Sequence, residues 1–158
     1  MVIRPLRRDD REPLQRLVEA TGVFSPDEVT IALELIDTVL DEPGQQDYCI
    51  AVSDEDGTAV GYYCLGPTPG TTGTFDLYWI AVAPWHHGRG IGSALDAHAE
   101  AFVRSSGGRL IVAETSSTPR YDATRAFYHR RGYAELARIR DYYSPGDDLV
   151  VFGKYLVP

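Results

Sequence analysis

The chain has 158 residues, 44% hydrophobic and 24% charged, the composition of an ordinary globular protein with the length to bury a core and form one domain over residues 1–158. Its apolar runs stay short of the roughly 18 residues that cross a bilayer, and the opening MVIRPLRRDD lacks the apolar segment of a signal peptide. The net charge of −8 argues against non-specific nucleic-acid binding, and two cysteines, Cys49 and Cys64, fit neither a disulfide scaffold nor a metal site, so buried free thiols in a cytoplasmic protein are expected.

VIRPLR reads as a short opening strand with Pro5 near its edge. DDREPLQRLVEATG follows as a helix with acids in its first turn and Gly22 as its stop. SPDE opens a second helix: Ser25 and Glu28 form a capping box, and Pro26 takes the first helical position. Val29, Ala32, Leu33, Ile36 and Leu40 share one face of that helix, and DEPGQQD ends it. YCIAV, AVGYYCLG and TFDLYWIAV are three strand-like runs joined by SDEDGT and PTPGTTG, which together predict an antiparallel meander. Beyond the glycines of WHHGRGIGSAL, Ile91, Ala94, Leu95, His98 and Phe102 form a helical stripe closed by SSGG. RLIVAE reads as a strand buried on both sides, and DATRAFYHRRG as a shorter helix stopped by Gly132. YAELARIR and DLVVFGKYLV form a last strand pair across the loop DYYSPGDD. The order β-α-α-β-β-β-α-β-α-β-β predicts an α/β fold of the α+β type, a mixed and mostly antiparallel sheet of about seven strands with about four helices packed on it. A single stretch, strand 75–82, helix 90–104 and strand 109–114, has the form of a right-handed parallel crossover.

The turn from strand to helix in that crossover carries Gly88, Gly90 and Gly92 at alternate positions. Backbone N–H groups at a helix N-terminus are unsatisfied and lie at the positive end of its dipole, and absent side chains let a phosphate approach them. His87 and Arg89 add donors. The charge distribution agrees: residues 1–84 hold five Arg and no Lys against fifteen Asp and Glu, while residues 85–140 hold nine Arg against five acids. A polyanion held by the second half and a cation facing the first would suit this asymmetry; drift in surface charge would also produce it. A P-loop is excluded because no Gly-Lys-Ser/Thr follows the turn. A dinucleotide motif is nearly matched by GRGIGS, with Ser93 at the third glycine and Glu114 near the place of a ribose-binding acid. That motif opens a series of parallel βαβ units, whereas here three meander strands precede it and no second crossover comes after.

WIAVAPWHHGRGIGSAL resembles the acetyl-CoA motif of the GNAT superfamily of N-acetyltransferases, a strand, a short loop containing Pro, then Gln/Arg-x-x-Gly-x-Gly/Ala opening a helix. His87 takes the Gln/Arg place, and Gly90 and Gly92 match the rest. YDATRAFYHRRGY resembles the second signature of that superfamily, with Tyr121 standing where Asn is usual. The likeness spans nearly the whole chain in the superfamily's own element order. It implies a GNAT-like fold and an acetyl-CoA-dependent N-acetyltransferase that acts on a primary amine, a peptide N-terminus, amino acid, polyamine or other small amine, by direct attack in a ternary complex. The alternative on the same fold is a catalytically silent acyl-CoA-binding module. The resemblance places the cofactor between the fourth and fifth strands, with main-chain groups of Ile80, Ala81 and Val82 on the pantetheine arm. His87, Gly88, Arg89, Gly90, Ile91, Gly92 and Ser93 would hold the pyrophosphate, with Thr124 and Phe127 beside the cofactor, and Arg125 or Arg130 is a candidate for its 3′-phosphate.

Acetyl transfer to an amine needs a base for the ammonium, a donor to the thioester carbonyl and an acid for the departing thiolate. The resemblance gives the acid role to Tyr128, whose other reading is helix–sheet packing, and the oxyanion role to a main-chain N–H near Ile80. The base is Asp76 or Glu114. Asp76 lies six residues before Val82, where histone acetyltransferases of the superfamily carry a catalytic Glu, and strict alternation would put it on one face with Tyr78, Ile80 and Val82. Glu114 ends the fifth strand, where ribosomal-protein N-terminal acetyltransferases carry theirs; Asp76 is the preferred candidate. The acceptor site is expected from TGVFSPDE, GPTPGTTG and DYYSPGDD, with Phe24, Tyr78, Tyr142 and Tyr143 as contacts. His98 is expected at the edge of the core and His129 at the surface. His86 and His87 are adjacent and no H-x-x-x-H occurs, so no metal is expected. No membrane partner is expected, and a homodimer through the C-terminal strands would match a habit of the superfamily.

Overall fold

The computed structural model describes residues 1–157. Strands β1 (Val2–Pro5), β2 (Cys49–Glu55), β3 (Thr58–Pro67), β4 (Thr74–Val82), β5 (Leu110–Ser116), β6 (Ala134–Ser144) and β7 (Asp147–Tyr155) form one sheet in the order β1-β2-β3-β4-β5-β7-β6. Helices α1 (Arg11–Ala20), α2 (Pro26–Asp41), α3 (Ile91–Ser105) and α4 (Asp122–Arg130) cover it. All strand pairs are antiparallel except β4 with β5, the crossover pair. The mixed sheet, the four helices and their order match the expectation. Among the described residues no helix is long and apolar enough to cross a membrane.

Each face of the sheet buries its own core. Leu14, Leu17 and Val18 of α1 and Ile36 of α2 pack with Val52, Tyr62, Cys64 and Ala81 on one face. Ile91, Leu95, Ala99 and Val103 of α3 and Tyr128 of α4 pack with Tyr63, Leu65, Phe75, Leu77 and Phe152 on the other. The α3 stripe is rotated from the sequence expectation. Asp96 and Glu100 lie on its buried face, while His98 is exposed and Ala94 and Phe102 are only half-buried. The two acids are inside because they have partners: Arg131 Nε donates to Asp96 Oδ2 at 2.7 Å, Tyr133 Oη donates to Asp96 Oδ1 at 2.9 Å, and Lys154 Nζ bonds Glu100. Burial pushes the Asp96 carboxyl up against the pull of Arg131 and Tyr133. His98 meets the core at Tyr63, its Nδ1 2.9 Å from Tyr63 Oη.

Two departures from regular pairing shape the cleft. Opposite Cys64 and Leu65 of β3 stand Trp79 and Leu77 of β4, so Tyr78 is an extra residue, a β-bulge. The alternation therefore changes parity along β4: Phe75 and Leu77 face α3 before the bulge, and Ile80 and Val82 face it afterwards, while Trp79 and Ala81 join the α1–α2 core. The second irregularity is in β6, where residues 140–143 loop out between the pairs Ile139↔Leu149 and Ser144↔Asp147. Asp148 ties that excursion down, its Oδ1 accepting from Asp141 N at 3.0 Å and its Oδ2 from Arg138 Nη1 at 3.2 Å. The expected loop DYYSPGDD is thus mostly strand, with a turn at Pro145–Gly146 alone. The strand RLIVAE is not buried on both sides either: Ile111 and Ala113 are buried, but Glu114 is exposed.

The first helix begins with a 3-10 turn at Arg8–Asp10 rather than at Asp9, because Asp10 is drawn inward. Arg4 Nη1 and Nη2 donate to Asp10 at 2.8 and 2.9 Å, and Arg4 Nε donates to Asp54 at 2.7 Å, which joins β1, β2 and this turn. Burial would raise the Asp10 carboxyl, but the bonds from Arg4 and from Arg7 N–H outweigh it and hold Asp10 below the usual carboxylate range. The Arg4 hydrogen bond lowers Asp54 too. Carboxyls with depressed folded pKa values bind fewer protons in the folded state. Their contribution is complete above the unfolded value of about 4 and is lost as pH falls through the folded values. The urea midpoint should therefore fall steeply below about pH 4, and Asp10→Asn should lower stability at pH 7 and flatten that acid slope.

Candidate active site

The β4–β5 ladder has only three rungs, Thr74↔Leu110, Phe75↔Ile111 and Asp76↔Val112. It ends just before the bulge at Tyr78, and beyond it the two strands part. A cleft of about 1120 Å³ fills the gap and passes through the sheet. Phe24, Glu28 and Tyr48 line it on the α1–α2 side, Asp76 to Ile80 and Glu114 to Ser116 on its walls, and Thr124, Tyr128, Tyr143 and Asp147 elsewhere.

The parting exposes backbone. Ala83 N donates to Val60 O at 2.9 Å, so Ala81 and Ala83 turn their polar groups to β3 and Ile80 and Val82 turn theirs toward β5. Val82 O is taken by His87 Nε2 at 2.9 Å, which makes Nε2 the protonated ring nitrogen. Ile80 lines the cleft, but Ala81 does not: it is 7% exposed within the α1–α2 core, and its backbone is occupied by β3. Ala81 is therefore corrected as a candidate contact.

The glycine turn lies beyond the cleft lining, at the start of α3. Gly88 and Gly90 have φ of +76° and +77°, and open space surrounds both, so conformation is the demand that selects glycine there. Gly92 answers to another constraint: a Cβ would stand 3.2 Å from the Phe127 ring of α4. The first α-helical bond of α3 is Ala94 N to Gly90 O at 3.0 Å, so the N–H groups of Ile91, Gly92 and Ser93 have no acceptor within the helix. Arg89 is not a free donor. Its guanidinium grips Glu55 at 2.9 and 3.1 Å, and His86 Nε2 lies 3.1 Å from the same carboxylate. Arg125 likewise donates to Ser116 O and Thr118 O at 2.6 and 3.0 Å and is committed to the end of β5.

The candidate catalytic residues meet in the cleft. Tyr128 is 5% exposed, stacked on Phe152 with ring centroids 5.4 Å apart and tilted against Tyr133 at 5.2 Å. Burial, then the nearby Asp96 charge, pushes its phenol well above the ordinary range, so it stays protonated at neutral pH. Glu114 and Asp76 line the same cleft. The bulge overturns the expectation that Asp76 shares a face with Ile80 and Val82: it stands between Phe75 and Leu77, which face α3, and so points to the α1–α2 side. There Asp76 Oδ2 accepts from Thr68 Oγ1 at 2.8 Å and from Tyr78 Oη at 3.5 Å.

Of the expected acceptor contacts, Phe24, Tyr78 and Tyr143 line the cleft, and Phe24 packs edge-on to Trp79 at 4.7 Å. Tyr142 does not; it is 55% exposed on the outside of the β6 excursion, edge-on to Tyr143 at 5.0 Å. Burial and the facing Glu114 push the Tyr143 hydroxyl up to about 12. Tyr121 reaches across the cleft mouth, its Oη donating to Glu28 Oε2 at 3.1 Å, while Glu28 Oε1 accepts from Ser25 N at 3.1 Å. Sequence reasoning missed the cleft residues Tyr48, Trp79 and Thr115, while Asp147 falls within the expected acceptor segment DYYSPGDD. Thr115 sits beside Glu114 in a run of hydroxyl residues, the one signal that could have pointed to it. Among the described residues no three His, Cys, Asp or Glu side chains gather as a metal site.

The model of the acetyltransferase (GNAT) family matches residues 11–133. The fold superposes on a protein from Desulfovibrio desulfuricans assigned to the GNAT family of acetyltransferases, with 41% identity and a TM-score of 0.95 over 99% of each chain. An aminoglycoside 6′-N-acetyltransferase solved with coenzyme A is 18% identical, with a TM-score of 0.78 over 100% of this chain and 98% of that one. The ribosomal-protein-S18-alanine N-acetyltransferase of Escherichia coli is 19% identical, with a TM-score of 0.76 over 99% and 94%. These last two likenesses show the fold. No curated protein matches the chain in sequence. The chain belongs to the GNAT family of acetyltransferases. It is an acetyltransferase.

Gly90→Ala places a Cβ on a backbone with φ of +77° and should cost about 1–2 kcal/mol of stability, read as a lower denaturation midpoint with unchanged m-value.

Proposed function

We propose that this acetyltransferase uses acetyl-CoA and acetylates a cationic primary amine by direct attack in a ternary complex. The observation that carries the reading is the parted β4–β5 pair, with Ile80 backbone, Glu114 and Tyr128 lining one continuous cleft. The residues present fit the cofactor: the unpaired polar groups of Ile80 suit the pantetheine arm, and the free N–H groups of Ile91, Gly92 and Ser93 suit a pyrophosphate. Gly88 and Gly90 give those amides their approach, Phe127 of α4 packs beside Gly92 while Thr124 lines the cleft, and His87 holds the turn against β4.

Acetyl-CoA supplies, when bound, the thioester whose acetyl carbon the amine attacks, the C–N bond forming as the C–S bond breaks. Glu114 Oε is the base that takes the ammonium proton. Its carboxylate lines the cleft without a side-chain hydrogen bond to another described residue, whereas Asp76 is held by Thr68 and Tyr78 on the α1–α2 side. Asp76 then serves to attract the cation. The Ile80 N–H is the donor to the developing oxyanion. Tyr128 Oη keeps its proton until the thiolate leaves, which the upward pull of burial on its pKa favours. Direct attack is supported by the place of the thiols, since Cys49 and Cys64 lie outside the cleft lining and burial raises both.

The acceptor side is acidic and aromatic, with Glu28, Asp76, Glu114 and Asp147 set among Phe24, Tyr78, Trp79 and Tyr143 and with Arg120 as a single lining cation. That chemistry suits an ammonium. A small polyamine, an amino acid and a peptide N-terminus all satisfy it, and the aminoglycoside and ribosomal-protein acetylation in the names of the similar structures widens the acceptor panel accordingly.

Titration with acetyl-CoA should stabilise the protein by about 2.7 kcal/mol at 100 times the dissociation constant, while NAD and ATP leave its melting temperature unchanged. No shift with acetyl-CoA, or a shift with NAD, would overturn the reading. On an amine panel Tyr128→Phe should lower kcat by about 10²–10⁴ with acetyl-CoA affinity retained. Glu114→Gln should lower kcat with acetyl-CoA affinity retained, and Asp76→Asn should act mainly on the acceptor KM.

A further inference from the structure

We propose that the Thr115 hydroxyl is a ligand-binding group of the cleft, a hydrogen-bond partner for a polar atom of the acyl-pantetheine arm. The assignment rests on the acetyl-CoA reading of the cleft. Four buried side-chain polar atoms lack a hydrogen-bond partner among the described residues: Ser53 Oγ, Tyr62 Oη, His86 Nδ1 and Thr115 Oγ1. Thr115 alone among these residues lines the cleft.

Its setting defines what it faces. Thr115 is 5% exposed and pairs directly with Val150 of β7, beyond the last rung between β4 and β5. Directly opposed residues share a face, and Val150 belongs to the core beneath α3 and α4, as do Ile111 and Ala113, four and two positions earlier on β5. Thr115 therefore stands on the Tyr128 side of the cleft, and Glu114 on the opposite side, toward the acceptor. The cofactor arm and the amine thus meet different neighbours on one strand.

The orphaned hydroxyl is the telling feature. Valine has the same branched shape and would fill the site with no polar atom to bury. A buried hydroxyl without a partner weakens the free protein, and a ligand that bonds it recovers that loss on binding. The adjacent hydroxyl shows the ordinary solution: Ser116 Oγ bonds Asp147 and Thr118 and is thereby satisfied within the protein. Thr115 is also stiff at χ1, so its hydroxyl is presented in a narrow range of directions. A hydroxyl both donates and accepts, which suits the carbonyl oxygens and amide N–H groups of a pantetheine arm.

Thr115→Val separates this role from packing, because it should move stability and affinity in opposite directions. The free variant is expected to melt at or above the wild-type temperature. Its dissociation constant for acetyl-CoA, read by calorimetry, should rise about tenfold, the loss of roughly one hydrogen bond. Thr115→Ser should keep most of the wild-type affinity. Equal binding of acetyl-CoA by wild type and Thr115→Val would overturn the assignment alone, as would parallel losses of stability and affinity in both variants. Failure of the wild type to bind acetyl-CoA would overturn the cofactor reading and this assignment with it.

Discussion

The extra residue at Tyr78 is the constraint on which the site depends. A β-bulge bends a strand and strengthens its twist, and β4 has its bulge immediately after the last residue that pairs with β5. One insertion has three consequences. The strands separate, the backbone of Ile80 loses a partner, and side chains beyond the bulge exchange faces with those before it. Regular pairing along the whole of β4 would have closed the sheet and placed Ile80 and Val82 on the α1–α2 side. A second irregularity, the β6 excursion held by Asp148, brings Tyr143 over the same opening.

Behind the cleft the protein is braced by charge rather than by apolar packing alone. Asp96 and Glu100 sit on the buried face of α3 and are answered by Arg131, Tyr133 and Lys154. Tyr133 packs against Tyr128, so the ring proposed as the acid has an anchored neighbour on one side and Phe152 on the other. Removing one member of such a buried set leaves another charge uncompensated, which is why networks of this kind hold geometry even where they add little net stability.

The elements are legible in the sequence because they obey local rules. The capping box at Ser25 and Glu28 forms as its spacing demands, Gly22 and Gly132 adopt the positive φ that ends a helix, and the meander turns where Asp-Gly and Pro-Gly stand. What is not legible depends on partners distant in sequence. The α3 stripe misleads because buried Asp96 and Glu100 look like surface residues until Arg131 and Lys154 are folded against them. Alternation sets Asp76 on the wrong face because TFDLYWIAV gives no local mark of a bulge. Arg89 reads as a free donor because Glu55, 34 residues earlier, is a neighbour only in three dimensions. Thr115 draws no notice because a threonine in a strand is ordinary until its hydroxyl is found without a partner.

Glu28 divides its two carboxylate oxygens between separate tasks, one holding Ser25 N at the start of α2 and one holding Tyr121 at the start of α4. The helix on the acceptor side and the helix that carries Tyr128 are thereby joined by a single side chain. Divergence at the acceptor mouth is consequently not modular in this chain: a change at Glu28 disturbs a helix start and a strut across the cleft together, whereas Phe24, edge-on to Trp79, joins no second element by a hydrogen bond. Selectivity can drift at the aromatic wall while this crosspiece resists replacement.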